Sequence, residues 1–312
     1  MVAENINRAC KQTRKPVKAE RETQMKLLTY RSGGRDHVGV LDYDGQHIWR
    51  IGKYSSMLDL IQSGISASEL TAASARQGEP VLFSDITKRP PIPNPAQDII
   101  CLGLNYSAHA EESAKAAGTN FAGTSDYAIY FSKRASETTA DGETIPGHWE
   151  ITENAVDYEV ELAVVIGRDA FKVSKEDAYD YVFGYTVFND MSARNIQRNH
   201  KQFYFGKSLD GFCPMGPWIV TEDEFSRPPA LRLRTWVNGE LRQDSNTDEL
   251  IFDIPHIISE LSQGIVLKAG TIIATGTPAG VGMGFSPPKY LQKGDVITCE
   301  IEGIGRLENE ME

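Results

Sequence analysis

The sequence predicts a strand-rich α+β fold with a small N-terminal domain, and three features carry that expectation. From Asp98 onward, short runs of β-branched and aromatic residues recur: IICLGL, AIYFS, VELAVVIG, FGYTVFND, WIVT, LRLRTWVNG, GTIIATG and DVITCEIEGIG. Helical stretches separate only some of them, so the regular βαβ alternation of a doubly wound parallel sheet is missing. The segment RPPIPNP at 89–95 places four prolines in seven residues, which excludes helix or central strand and marks a linker.

Taken in order, residues 1–26 carry an excess of Lys and Arg interrupted by Glu4, Glu20 and Glu22. They read as a disordered tail, with an organelle transit peptide as the alternative; no secretory apolar core is evident. MKLLTYRSGGRDHVGVLDYDG reads as two strands joined at Gly33-Gly34, followed by helices around Ser56–Gln62 and Ala67–Gln77. The proline cluster then divides a small domain, 27–93, from a larger one, 94–312. In the larger one, SAHAEESAKAAG, 174–182 and 252–263 read as helical.

The 312 residues are 40% hydrophobic and 24% charged, an ordinary balance for a globular chain. A formal net charge of -11 argues against non-specific nucleic-acid binding, and no apolar run approaches the roughly 20 residues of a membrane helix. Cys10, Cys101, Cys213 and Cys299 are far apart and form no CxxC, so they read as free thiols of a reducing, cytoplasmic compartment. Cys213 reads as a buried packing residue.

The chemistry starts at DYEVELAVVI, residues 157–166. On a strand, Asp157, Glu159 and Glu161 share one face, with Val160, Leu162 and Val164 on the other. Burying such acids is costly unless something offsets their repulsion. FGYTVFND ends in Asp190, a third carboxylate that could converge on Glu159 and Glu161 around Mg²⁺ or Mn²⁺. The alternative is a solvated strand face and a turn-capping Asp190. His109 and Glu112, three apart on a helix, could form a base held by a carboxylate, or simply a surface pair. Lys207 in FGKSLDGF can reach a ligand or an oxyanion. TIIATGTPAGVGMG offers backbone N–H groups and the Thr277 hydroxyl, without a phosphate-binding signature. Neither GxSxG nor HExxH occurs, and the remaining histidines lack metal-ligand spacing.

The ordered set NYxxHxxE, DYEVELAVVIG, NDMSARNIQ, GKSLDGFCPMGP and GTPAGVG closely resembles the fumarylacetoacetate hydrolase family, from about Ile99 to the C-terminus. The resemblance implies a mixed β-sandwich roll, usually a homodimer, binding Mg²⁺ or Mn²⁺. By position it makes Glu159, Glu161 and Asp190 the metal ligands and His109 and Glu112 the catalytic dyad. It sets Lys207 beside the metal, and Arg194, Gln197 and Thr277 near the substrate. Asp157 is not a ligand in the family pattern. Lys133 is followed by Arg134 where many members have proline. An extra upstream aspartate ligand has no match, which points to the three-carboxylate branch of acylpyruvases, oxaloacetate decarboxylases and isomerases. The expected function is therefore metal-dependent C–C hydrolysis or decarboxylation of a small 2-oxo acid. The alternatives are isomerisation or tautomerisation of a hydroxymuconate-like diacid, or a non-catalytic metabolite binder.

Overall fold

A strand with apolar residues on both faces must be covered on both, and Val160–Ile166, buried along its whole length, is such a strand. The computed structural model describes residues 24–312 apart from 67–68 and 71–77. The expected tail lies almost wholly outside the described residues, and so does most of the expected helix at Ala67–Gln77.

Val160–Ile166 occupies the middle of an eleven-stranded mixed sheet. In spatial order that sheet runs Val81–Leu82, His47–Arg50, Arg35–Leu41, Lys26–Ser32, Met215–Thr221, Val182–Asn189, Val160–Ile166, Ile272–Ala274, Ile99–Gly103 and Ile129–Lys133. Thr87–Arg89 pairs with Lys26–Ser32 off this path. The N-terminal strands thus join the sheet of the larger region, where Lys26 and Leu27 pair with Val220 and Ile219. Gly33 and Gly34 form the tight turn between Lys26–Ser32 and Arg35–Leu41, both at the positive φ such turns require.

A second sheet, ordered Glu240–Asn246, Arg232–Val237, Val296–Ile301, Gly305–Met311 and Thr144–Ile145, packs on one face of the first. Alternation divides the central strand between two cores. Val160, Leu162 and Val164 join Leu233, Ile297 and Leu307 between the sheets. Ala163 and Val165 pack with Leu27, Met57 and Leu60 on the opposite face. The result is the strand-rich α+β architecture expected.

Two local expectations need correction. Residues 157–166 are not one strand. Val156–Asp157 pairs with Ser192–Ala193, and the central strand begins only at Val160. The break follows from the backbone at Glu159, whose N–H donates to the Asn189 side chain (2.9 Å) and whose carbonyl accepts from Asp190 N–H (2.8 Å). The helix expected at 174–182 is only a 3₁₀ turn over Ala178–Tyr181. Ser174 Oγ there bonds both the side chain and the N–H of Asp177, a local competitor of helix. The helices expected after Ser56 and near 252–263 form as Met57–Gln62 and Ile254–Ser262, with the Ser56 and Asp253 side chains as N-caps. No described helix is long and apolar enough to cross a membrane.

One buried side chain ties the sandwich to the TGTP loop. Gln243, fully buried, accepts from Val160 N–H (3.1 Å) and Thr235 Oγ1 (2.8 Å). Its Nε2 donates to Thr277 Oγ1 and the Pro278 carbonyl, both at 2.8 Å. Gln243→Leu strands those partners, which are themselves buried. The expected cost is about 2–4 kcal/mol in equilibrium denaturant unfolding, and a change under about 0.5 kcal/mol would show that the hub is not structural.

Candidate metal and proton-transfer site

The break before Val160 and the end of Val182–Asn189 bring three acids together. Glu159, Glu161 and Asp190 are all buried, and one oxygen from each lies within 4.8 Å of the others. Their partners differ. Lys207 Nζ donates to Glu159 Oε2 (2.7 Å) and to Asp190 Oδ2 (2.5 Å). Lys133 Nζ donates to Asp190 Oδ1 (2.6 Å) and to the Met191 carbonyl (2.9 Å). Arg194 Nη2 pairs with Glu159 Oε1 at 2.6 Å. Glu161 has no ion-pair partner among the described residues; its carboxylate accepts only from Gly276 N–H (2.8 Å).

This asymmetry sets the charges. Burial would raise the pKa of Glu159, but the Lys207 ammonium, with Arg194 and His109, outweighs it and holds the carboxyl well below its usual range. At Glu161 burial acts with repulsion from Asp190 and Glu159, and its pKa lies well above the usual range. Burial would lower Lys207, yet Asp190 and Glu159 raise it further. Three acidic oxygens around a point that lacks a cation beside Glu161 are a donor set for a hard divalent ion.

Above the acids lies a cavity of about 320 Å³. His109, Glu159, Arg194, Gln197, Lys207 and Thr277 all line it, so the sequence-predicted residues converge. Asp190 and Glu161 lie behind that lining, and Glu112 stands behind His109. His109, on the helix Ser107–Ala116, is buried, with Nδ1 3.1 Å from Glu112 Oε2. A carboxylate only accepts, so Nδ1 carries the proton, and Nε2 has no hydrogen-bond partner among the described residues. Glu112 Oε1 in turn accepts from Gly280 N–H (2.9 Å). Gly284 packs so closely here that a Cβ on it would lie 2.0 Å from Glu112 Oε1. Thr277 Oγ1 accepts from Gln243, so its own proton is available to the cavity. Gln197 Oε1 accepts from Arg194 Nη1 (3.2 Å).

Asp157 does not share the metal face. It accepts from Gly282 N–H (2.6 Å), Met283 N–H (3.0 Å) and Arg194 Nε (2.9 Å), so it seats the 282–284 turn and aims Arg194 at Glu159. Sequence reasoning did not anticipate Lys133, Gln243 or Arg198 in this region. The single visible signal was charge in an apolar setting, as in the YFSKRAS strand that carries Lys133. Cys213 is buried, its thiol pushed up to about 11 by burial, consistent with packing.

Comparison with known proteins follows the same lines. Residues 98–312 match the family model described as fumarylacetoacetate (FAA) hydrolase C-terminal. Over 229 residues, 73% of this chain and 74% of the relative, the chain is 48% identical to oxaloacetate tautomerase YisK of Bacillus subtilis (strain 168). Fumarylacetoacetate hydrolase from psychrophilic Exiguobacterium antarcticum shares the fold with a TM-score of 0.77 at 38% identity, covering 92% of this chain and 99% of that one. Maleylpyruvate hydrolase from Sphingobium sp. SYK-6, in complex with manganese (II) ion and pyruvate, has a TM-score of 0.72 at 29% identity, covering 92% and 98%.

Glu161→Gln separates stability from metal binding. It replaces a buried acid, whose ionised form two neighbouring acids repel, by a neutral amide of similar shape, so in EDTA at neutral pH the variant is expected to unfold at the same or a higher temperature than the wild type. At Mn²⁺ about a hundredfold above Kd, the wild type gains about 2.7 kcal/mol. The variant is expected to lose most of that gain. Thermal scans with and without Mn²⁺ check both; an undiminished metal shift in the variant would remove Glu161 from the ligand set.

Proposed function

The chain belongs to the fumarylacetoacetate hydrolase family, and on that premise we propose that it is a divalent-metal-dependent enzyme that moves a proton next to the keto group of a small 2-oxo acid. The first candidate reaction is keto–enol tautomerisation of an oxaloacetate-like diacid. The observation that carries this reading is that the His109–Glu112 dyad opens onto the same cavity as Glu159, Lys207 and Arg194. The 48% identity to an oxaloacetate tautomerase supports it, and for that reason we take tautomerisation before the C–C cleavage that the sequence alone puts first.

Glu159, Glu161 and Asp190 would hold Mg²⁺ or Mn²⁺, which when bound supplies Lewis-acid polarisation of the 2-oxo carboxylate. The chain's own groups do the rest. Glu112 fixes the ring of His109, so Nε2 exchanges a proton with the carbon beside the keto group. In the enol-to-keto direction Nε2 first takes up a proton from solvent and passes it to that carbon while the enol hydroxyl releases one to solvent, so the ring ends as it began. The Thr277 hydroxyl and the Lys207 ammonium offer donors to the oxygen on which negative charge develops. Arg194 and Gln197 orient the acid from the helix Arg194–His200.

A second reading, C–C hydrolysis or decarboxylation of an acylpyruvate or oxaloacetate, is favoured by the apolar part of the cavity. Leu102, Leu104, Phe131 and Phe203 leave room for a longer chain, and a maleylpyruvate hydrolase is among the structural neighbours.

Enolic oxaloacetate mixed with the protein and Mg²⁺ or Mn²⁺, followed by ultraviolet absorbance and product NMR, decides between them. Wild-type protein is expected to speed ketonisation above the uncatalysed rate, and EDTA to remove the effect. His109→Ala is expected to lower kcat by about 10²–10⁴-fold. An uncatalysed rate with both metals would refute the tautomerase reading, and cleaved products would establish the second.

A further inference from the structure

The cations that line the cavity are not equivalent. Lys207 is bonded to Glu159 and Asp190, and Arg194 to Asp157 and Glu159, so the positive charge of both is directed to acids of the site itself. Arg198 also lines the cavity, is exposed, and makes no ion pair or hydrogen bond among the described residues. It lies four residues after Arg194 and one after Gln197 on the helix Arg194–His200, so all three present to one face. A guanidinium with no carboxylate partner among the described residues, at the rim of a cavity whose other walls include Phe131, Phe203 and Tyr290, is a receptor for a carboxylate.

We propose that Arg198 binds the distal carboxylate of the substrate and so selects 2-oxo diacids over 2-oxo monoacids. This rests on the assignment of the cavity to 2-oxo acids. The spacing is suitable. Four helical residues rise about 6 Å from Arg194 to Arg198. The two carboxyl carbons of a four-carbon diacid are joined through three C–C bonds of about 1.5 Å each. A diacid held at its 2-oxo end beside Arg194 and Glu159 therefore brings its second carboxylate within reach of Arg198. A monoacid leaves that guanidinium in water and gains nothing from it. Because Arg198 is exposed, its contribution is screened by salt, unlike the buried pairs beneath it.

The test is binding rather than turnover. Malate and lactate are 2-hydroxy acids that cannot enolise, and they differ by the distal carboxylate. Titration calorimetry with saturating Mg²⁺ is expected to show wild-type protein preferring malate. In Arg198→Met the malate affinity is expected to fall about tenfold or more, the loss of one charge-assisted contact, with lactate unchanged. Arg198→Lys is expected to recover part of the preference, and added NaCl to erode it in the wild type. A preference that survives in Arg198→Met, or equal losses for malate and lactate, would overturn the assignment. A wild type inactive on enolic oxaloacetate that still shows an Arg198-dependent malate preference would sink the tautomerase reading alone. An active wild type whose preference is untouched by Arg198→Met would sink the Arg198 assignment alone.

Discussion

Three carboxylates held in an apolar interior are the constraint on which the rest of this structure depends. Glu159, Glu161 and Asp190 converge because the central strand and its neighbour Val182–Asn189 are hydrogen-bonded in a fixed register, with Val160 opposite Asn189. A slip of one residue would turn the acids into the sheet-to-sheet core and the valines into the cavity. The cost of gathering the acids is met unevenly. Lys133 and Lys207 clamp Asp190 from its two oxygens, Lys207 and Arg194 share Glu159, and Glu161 faces its neighbours with one backbone N–H. A buried acid left in that position is stable only beside a cation or as the neutral acid, which is why the site fits a divalent ion.

A shell of groups that never reach the cavity holds this arrangement. Asp157 seats the turn at 282–284 and points Arg194 at Glu159. Gln243 fastens the smaller sheet to the first residue of the central strand and to Thr277. Gly280 N–H and the close approach of Gly284 fix Glu112, and through it His109. The groups proposed to act on the substrate therefore stand on elements locked by buried hydrogen bonds, as preorganised electrostatics requires.

The cavity above is divided in chemistry. Its floor is charged and Glu159, Lys207 and Arg194 there pair with acids or bases of the site; its walls are aromatic and aliphatic; its rim carries Arg198, which has no acid partner among the described residues. On the function proposed above, the floor sets the reaction class, since it would polarise a 2-oxo acid and place a base beside it. On the same reading the walls and rim decide which acid enters; proteins similar to this chain are named for different acids, oxaloacetate and maleylpyruvate.

Much of this was legible in the sequence. The alternation in VELAVVI located the central strand, and ordered motifs carried the metal acids, the dyad, Lys207 and Thr277, because local periodicity and residue type survive in one dimension. What stayed hidden was long-range. Gln243 sits in RQDSN, which has no apolar alternation and was not read as a strand, yet its side chain acts on residues 34 and 83 positions away. Alternation put Asp157 on the face of Glu159, and only the structure shows the backbone leaving the strand between them. Nothing local showed what Lys133 reaches; the pairing of Ile129–Lys133 at the sheet edge brings its Nζ to Asp190. By itself the sequence determined which groups are available and on which face of each element they lie, since those depend on neighbours along the chain. Only the tertiary structure decided which charges cancel one another and which remain for a ligand, because that depends on distances between residues the chain does not keep together.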